Sequence, residues 1–153
     1  MLLAYRLVRL IETHSEELAG EHLQKLQACT KCGSYTQVSA AEARQTVADT
    51  YRHLGAWLLG KDEREIEPRY RELGRRRAQQ GVPLAELMWA IALVKQNLVE
   101  FLQRQAMEPQ PAQLQGELEI VMALERFFDC ASYYAALGYE QVSAPGAAAQ
   151  ASI

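Results

Sequence analysis

The chain is short of the residues that extracellular, β-rich and membrane-embedded proteins depend on. It has three cysteines, an odd number that does not describe the disulfide framework of a small secreted domain. Val, Ile and Thr never gather into alternating runs, so no strand is predicted, and no fixed-period repeat marks a solenoid. No apolar stretch approaches the roughly 20 residues of a membrane span. Arg6 and Arg9 interrupt the opening run Met1-Leu2-Leu3-Ala4-Tyr5, whereas a secretory signal places its basic residues ahead of a longer apolar stretch. A cytoplasmic location away from membranes is therefore expected. The net charge of −3 and the pI near 5.7 give no general attraction to nucleic acid. Enzyme signatures are missing too: there is no phosphate loop, no Gly-x-Ser-x-Gly and no His-Glu-x-x-His. Catalysis is not expected.

The sequence does hold enough apolar residues for one core: 153 residues, 49% of them hydrophobic, fit a single domain. Helical periodicity runs through most of the chain. Leu3, Leu7, Leu10, Ile11, Leu18 and Leu26 share one face of a first helix over residues 3–28. Ser39 and Glu42 form a capping box that opens a second helix, which ends near Gly60. Asp62 and Glu65 repeat that pattern for a third helix over about 62–80, with Pro68 in or near its first turns. Its apolar content is thin, and Arg75-Arg76-Arg77 in its last turns complement the helix dipole. The fourth helix, about 84–105, contains Leu87-Met88-Trp89-Ala90-Ile91-Ala92-Leu93-Val94 without a polar residue, and a helix apolar all round belongs at the centre. A fifth covers about 112–140. The expected architecture is an all-α, single-domain bundle of about five helices over residues 1–141, the fourth central. The small-residue stretch over 142–153 reads as a disordered tail or linker stump.

The corner between the third and fourth helices is the most distinctive segment: Arg77-Ala78-Gln79-Gln80-Gly81-Val82-Pro83-Leu84-Ala85-Glu86-Leu87. Gly81 suits the left-handed position after a helix end, and Pro83 suits a helix start. With Leu7-Val8-Arg9-Leu10-Ile11-Glu12, Tyr70-Arg71-Glu72-Leu73-Gly74-Arg75-Arg76-Arg77 and the Gly138-Tyr139-Glu140 ending, this order of signals resembles the N-terminal sensory domain of RsbRD-type RsbT co-antagonist proteins. Similar modules precede PucR-like regulators and some histidine kinases. The resemblance covers roughly residues 5–140. It implies a bacterial, non-catalytic input domain that binds a small ligand or a protein and regulates an output domain or regulatory partner. It implies no catalytic residues. No kinase, STAS or helix-turn-helix segment follows in this sequence, so the output is expected from an attached domain or a separate partner. A homodimer formed through helix faces is also expected, since symmetric pairing is the common mode of assembly.

Candidate sites follow from residue chemistry. Trp89, Glu125 and Tyr133 are candidates for a ligand pocket: two aromatics, and a carboxylate set among Val121, Met122, Leu124 and Phe128. Cys29-x-x-Cys32 has the spacing of a metal-binding or redox pair, and His22, seven residues before Cys29, is a candidate third ligand. The alternative function is accordingly a metal- or haem-binding redox sensor using Cys29 and Cys32 with His22 or His14. Zinc or haem would be its cofactor, against an expectation of no cofactor for the main reading. The plain counterpart is two small residues in a helix-ending loop, since no second close-spaced pair completes a zinc set. Cys130 reads as a packed, inert thiol. Arg69, Arg71, Arg75, Arg76 and Arg77 read as a solvated face paired with glutamates at i,i+4 spacing, with phosphate or acidic-partner binding as the functional alternative.

Overall fold

The computed structural model describes residues 2–60, 62–105 and 111–143. Six α-helices account for most of them: α1 (Leu2–Thr13), α2 (Ser15–Ala28), α3 (Ala40–Gly60), α4 (Ile66–Gln79), α5 (Leu84–Gln105) and α6 (Pro111–Ser143). A 3₁₀ segment, Thr30–Gln37, straps α2 to α3, and a shorter one, Glu63–Glu65, precedes α4. No strand occurs among the described residues. The predicted tail from residue 144 onward lies outside them, while residues 142 and 143 still belong to α6.

The single first helix expected over 3–28 is two helices, bent at His14 (φ −102°, ψ 14°). Backbone bonds continue across the bend, from His14 N–H to Leu10 O at 3.1 Å and from Leu18 N–H to His14 O at 2.8 Å. The imidazole Nδ1 also bonds Leu10 O at 2.8 Å, and the ring packs on Phe101 with centroids 5.4 Å apart. A side chain intruding on the i→i−4 ladder is an ordinary cause of such a kink.

The predicted fourth helix, α5, is central. It packs against α6, α2, the strap and α4, and none of the eight apolar residues Leu87–Val94 is exposed. Four of them are only half-buried, so its apolar surface is not enclosed on every side. Three residues beyond the run, Asn97 is fully buried. Its Nδ2 donates to Leu18 O at 3.0 Å and lies 3.3 Å from the Tyr51 hydroxyl, and its Oδ1 accepts from Lys25 Nζ at 2.7 Å. Tyr51 donates onward to Val94 O at 2.9 Å. The polar groups of Asn97 and Tyr51 thus have partners, as their burial requires.

The third predicted helix, α4, exposes most of its charged residues but buries Ile66, Tyr70, Gly74 and Arg77. Helix α4 makes its most extensive contact with α6, and the two approach backbone to backbone. A Cβ built on Gly74 would sit 1.9 Å from Ala135 O, and one on Gly138 would sit 2.0 Å from Arg71 O. Only glycine permits that approach from either side. The thin apolar content of α4 goes with a helix that meets its neighbour where a side chain is missing, at Gly74.

Candidate functional site

The candidate site centres on the corner between α4 and α5. Gly81 takes a φ of +79°, and Val82 N–H returns to Arg77 O at 3.0 Å. Val82 is fully buried, and its carbonyl accepts from the Tyr139 hydroxyl of α6 at 2.6 Å. The corner is thereby tied to α6 as well as to α4 and α5.

One turn back on α4, Arg77 points inward and is 2% exposed. The sequence placed it on a solvated face; the structure corrects this. Its guanidinium donates to Glu42 Oε1 at 3.1 Å, Gln80 Oε1 at 2.9 Å, Thr46 Oγ1 at 3.3 Å and the Tyr35 hydroxyl at 3.3 Å. Gln80 closes the ring by donating to Glu42 Oε2 at 3.0 Å. Burying a guanidinium is tolerable only with partners of this number and charge. Burial pushes the Glu42 carboxyl up, but Arg77, Gln80 and Arg76 outweigh it and hold the group below the usual carboxylate range. The capping box is thus half realised: Ser39 Oγ accepts from Glu42 N–H at 3.1 Å, while the Glu42 carboxylate serves Arg76, Arg77 and Gln80. Of the arginine run, Arg71 pairs with Glu67 as expected and Arg75 pairs with Glu72, leaving Arg76 to reach Glu42 instead.

Beneath Arg77 lies a cavity of about 40 Å³. Its polar edge is His22, Thr46, Thr50, Tyr70 and Arg77, and its apolar wall includes Leu26, Val47, Leu87, Ile91, Val94 and Phe128. Helices α2 to α6 and the strap all contribute. A space of this size admits about one to three waters or a molecule of a few heavy atoms. The enclosed Tyr70 hydroxyl faces Thr50 without a hydrogen bond of full geometry, and Thr50 Oγ1 is committed to Thr46 O at 2.9 Å. His22 Nε2 lies 3.2 Å from Ala90 O, and burial lowers its pKa to about 4 despite that bond.

A second concavity, about 230 Å³, lies between the end of α2, the strap and the start of α3. Leu26, Tyr35 and Ala43 line both it and the inner cavity. Cys29 and Cys32 both lie on its wall.

A protein-family model described as the RsbT co-antagonist protein rsbRD N-terminal domain matches residues 5–152. The chain belongs to this family. No curated protein and no solved structure gives a significant match. As an rsbRD N-terminal domain, it is a regulatory signalling domain.

The residues singled out from the sequence of this rsbRD-type domain fall in separate places. Trp89 sits beside the strap, with Lys31 Nζ 3.9 Å from its ring centroid. Glu125 binds Lys95 Nζ at 3.0 Å and its side chain is 47% exposed. Tyr133 is 60% exposed on α6 and stacks edge-on against Tyr134. None of the three lines the inner cavity, although Ala90, next to Trp89, does. Cys29 and Cys32 do meet, whereas the His22 ring is turned to Ala90 O. His14 lies at the α1–α2 bend against Phe101. Among the described residues no group of three His, Cys, Asp or Glu side chains is placed to hold a metal ion. No helix among them is long and apolar enough to cross a membrane.

The sequence reading missed Arg77, Thr46, Thr50 and Tyr70 as one constellation. A run of three arginines beside glutamates has the pattern of a surface helix, and only packing singles out the one that turns inward. The glycines were a usable signal: an interior helical glycine costs about 1 kcal/mol relative to alanine and marks a close approach.

Proposed function

We propose that this domain is a non-catalytic input module whose inner cavity receives a small polar ligand, and that ligand binding is passed through α4 to α6 and on to an output domain or protein partner. The observation that supports the reading is the enclosed Tyr70 hydroxyl, which faces Thr50 without a well-formed bond and offers one inside a cavity that six elements share. A ligand group paired with Tyr70 and set against Arg77 would bear directly on α4. Because α4 and α6 touch through Gly74 and Gly138, they would move as one body. The bias comes from differential affinity for two arrangements of the bundle. A ligand larger than the inner cavity would enter by displacing Tyr35, which joins the cavity to the outer cleft.

Met122 and Tyr133, exposed and three turns apart on α6, favour pairing with a second copy of the chain along that helix. Sedimentation equilibrium of the wild type and Met122→Glu tests this: a dimer lost in the variant supports it, and a wild-type monomer at all concentrations rejects it.

The ligand reading is tested by a thermal-shift screen of small polar metabolites, with amide hydrogen exchange on any compound that raises Tm. A true ligand should slow exchange in α4 and α6 together and lose its effect in Val47→Ile, which adds a methylene to the cavity wall. Stabilisation that persists in Val47→Ile, with α6 exchange unaltered, would reject the site; so would a screen in which nothing raises Tm.

A further inference from the structure

We propose that Cys29 and Cys32 are a reversible dithiol–disulfide pair, oxidised by hydroperoxides, that resets the Thr30–Gln37 strap against the Arg77 corner. The proposal is independent of the ligand reading. Cys29 ends α2 in extended backbone (φ −83°, ψ 121°), and Cys32 leaves helical geometry (φ −116°, ψ 36°). Cys32 N–H donates to Cys29 O at 3.3 Å, which closes a four-residue turn. Such a turn brings its end Cα atoms within about 7 Å, close to the range that a disulfide spans. Both thiols are free, and both line the outer cleft.

Their environments divide the chemistry. Cys29 is half-buried on the outer cleft, within reach of solvent, and Cys32 is enclosed with its Sγ 3.7 Å from Glu86 O. The backbone N–H groups of Lys31 and Cys32, the Trp89 indole N–H and the Cys32 thiol face Cys29 Sγ as donors that favour its thiolate. The Lys31 ammonium lies over the same indole. Burial pushes the Cys29 thiol up, but these donors outweigh it and leave the thiol below its ordinary value. Burial, together with the Cys29 charge, pushes Cys32 up to about 12. A stabilised thiolate beside a protonated neighbour is the arrangement of an attacking and a resolving cysteine.

In the first step the Cys29 thiolate attacks the distal oxygen of a hydroperoxide. An S–O bond forms, the O–O bond breaks, and the alcohol or water leaves after taking up a proton. In the second, Cys32 attacks the Cys29 sulfenic sulfur; an S–S bond forms and the hydroxyl leaves as water with the Cys32 proton. The peroxide is reduced by two electrons and the cysteine pair is oxidised by two. An external thiol reverses the change by exchange. Forming the disulfide withdraws Cys32 from Glu86 O at the start of α5. The same strap holds Tyr35, whose hydroxyl accepts from Arg77 Nε, so oxidation reaches the corner through one side chain.

The test treats the reduced, full chain with hydrogen peroxide and follows intact mass and peptide maps. The expected result is loss of two hydrogen atoms, located to a Cys29–Cys32 disulfide and restored by dithiothreitol. Under the same conditions Cys32→Ser should hold Cys29 as a sulfenic acid that dimedone captures, and Cys29→Ser should give no adduct. Cys130, whose thiol burial and Glu63 push up, should alkylate at least about tenfold more slowly than Cys29 at neutral pH. A sulfinic acid on Cys29 with Cys32 still a free thiol would overturn the proposal, as would Cys130 reacting first. If either variant fails to fold, the wild-type peptide map alone decides.

Discussion

His22 makes a quantitative prediction about pH. It is buried among apolar groups with its Nε2 at Ala90 O, and its pKa falls from 6.5 to about 4, chiefly through burial. Between those values the unfolded chain binds a proton that the folded chain does not. Stability therefore rises with pH across that window: the contribution is fully present above the unfolded value and is lost progressively as pH falls toward the folded one. Integrating the shift gives a loss of about 2 kcal/mol between pH 7 and pH 5, approaching about 3 kcal/mol near pH 4. The perturbation is His22→Gln, which keeps a donor for Ala90 O and removes the titration. The assay is urea unfolding of both proteins at pH 7, 6 and 5. Other acid-sensitive groups, including His53 and Glu42, are common to both chains, so the difference between the two profiles isolates His22. The wild type should lose about 2 kcal/mol more than the variant over this range. Parallel profiles would refute the reasoning, since the ring would then be protonated without penalty in the folded state.

Further predictions follow from the packing. Gly74→Ala sets a methyl against Ala135 O and forces α4 from α6, so it should cost about 3 kcal/mol and lower Tm by about 10 °C in a circular dichroism melt. An unchanged melt would show that the helices are not in backbone contact. Tyr70→Phe removes a buried hydroxyl with no well-formed bond and should be neutral or stabilising by up to about 1 kcal/mol in urea unfolding. A clear loss of stability would mean that the hydroxyl is hydrogen-bonded in the folded chain, to Thr50 or to a bound molecule. Arg77→Met removes one of three donors to Glu42 and the donor to Gln80 Oε1, and should cost about 2 kcal/mol in urea unfolding, with Glu42→Gln in the same chain adding less than its separate effect.

The helical architecture was legible because its signals are local. Ser39, Gly60, Gly81, Pro83 and Pro111 mark element ends through backbone requirements that need no tertiary knowledge, and the unbroken apolar run Leu87–Val94 could only belong near the centre. The bend at His14 was invisible because it arises from an imidazole bonding Leu10 O beside Phe101, a residue from another helix. The role of α4 was hidden for a related reason: hydrophobic periodicity registers side chains that bury area, and this helix approaches its neighbour where a side chain is missing, at Gly74. The cavity was not legible at all. Its polar members come from α2, α3 and α4, each alone among apolar or charged neighbours, and only the fold collects them. Cys29 and Cys32 were legible as a pair because three residues of separation suffice to bring them together, whereas His22 has its own carbonyl partner on α5.

The central claim is mechanical coupling from the buried Arg77 corner through α4 to α6. Amide hydrogen exchange of the wild type against Arg77→Met, both in conditions where the variant remains folded, tests it most directly. The account predicts faster exchange in the variant around Ala135–Tyr139 of α6 as well as in the adjoining turns of α3 and α4. Faster exchange confined to α3 and α4, with α6 protected as in the wild type, would contradict it.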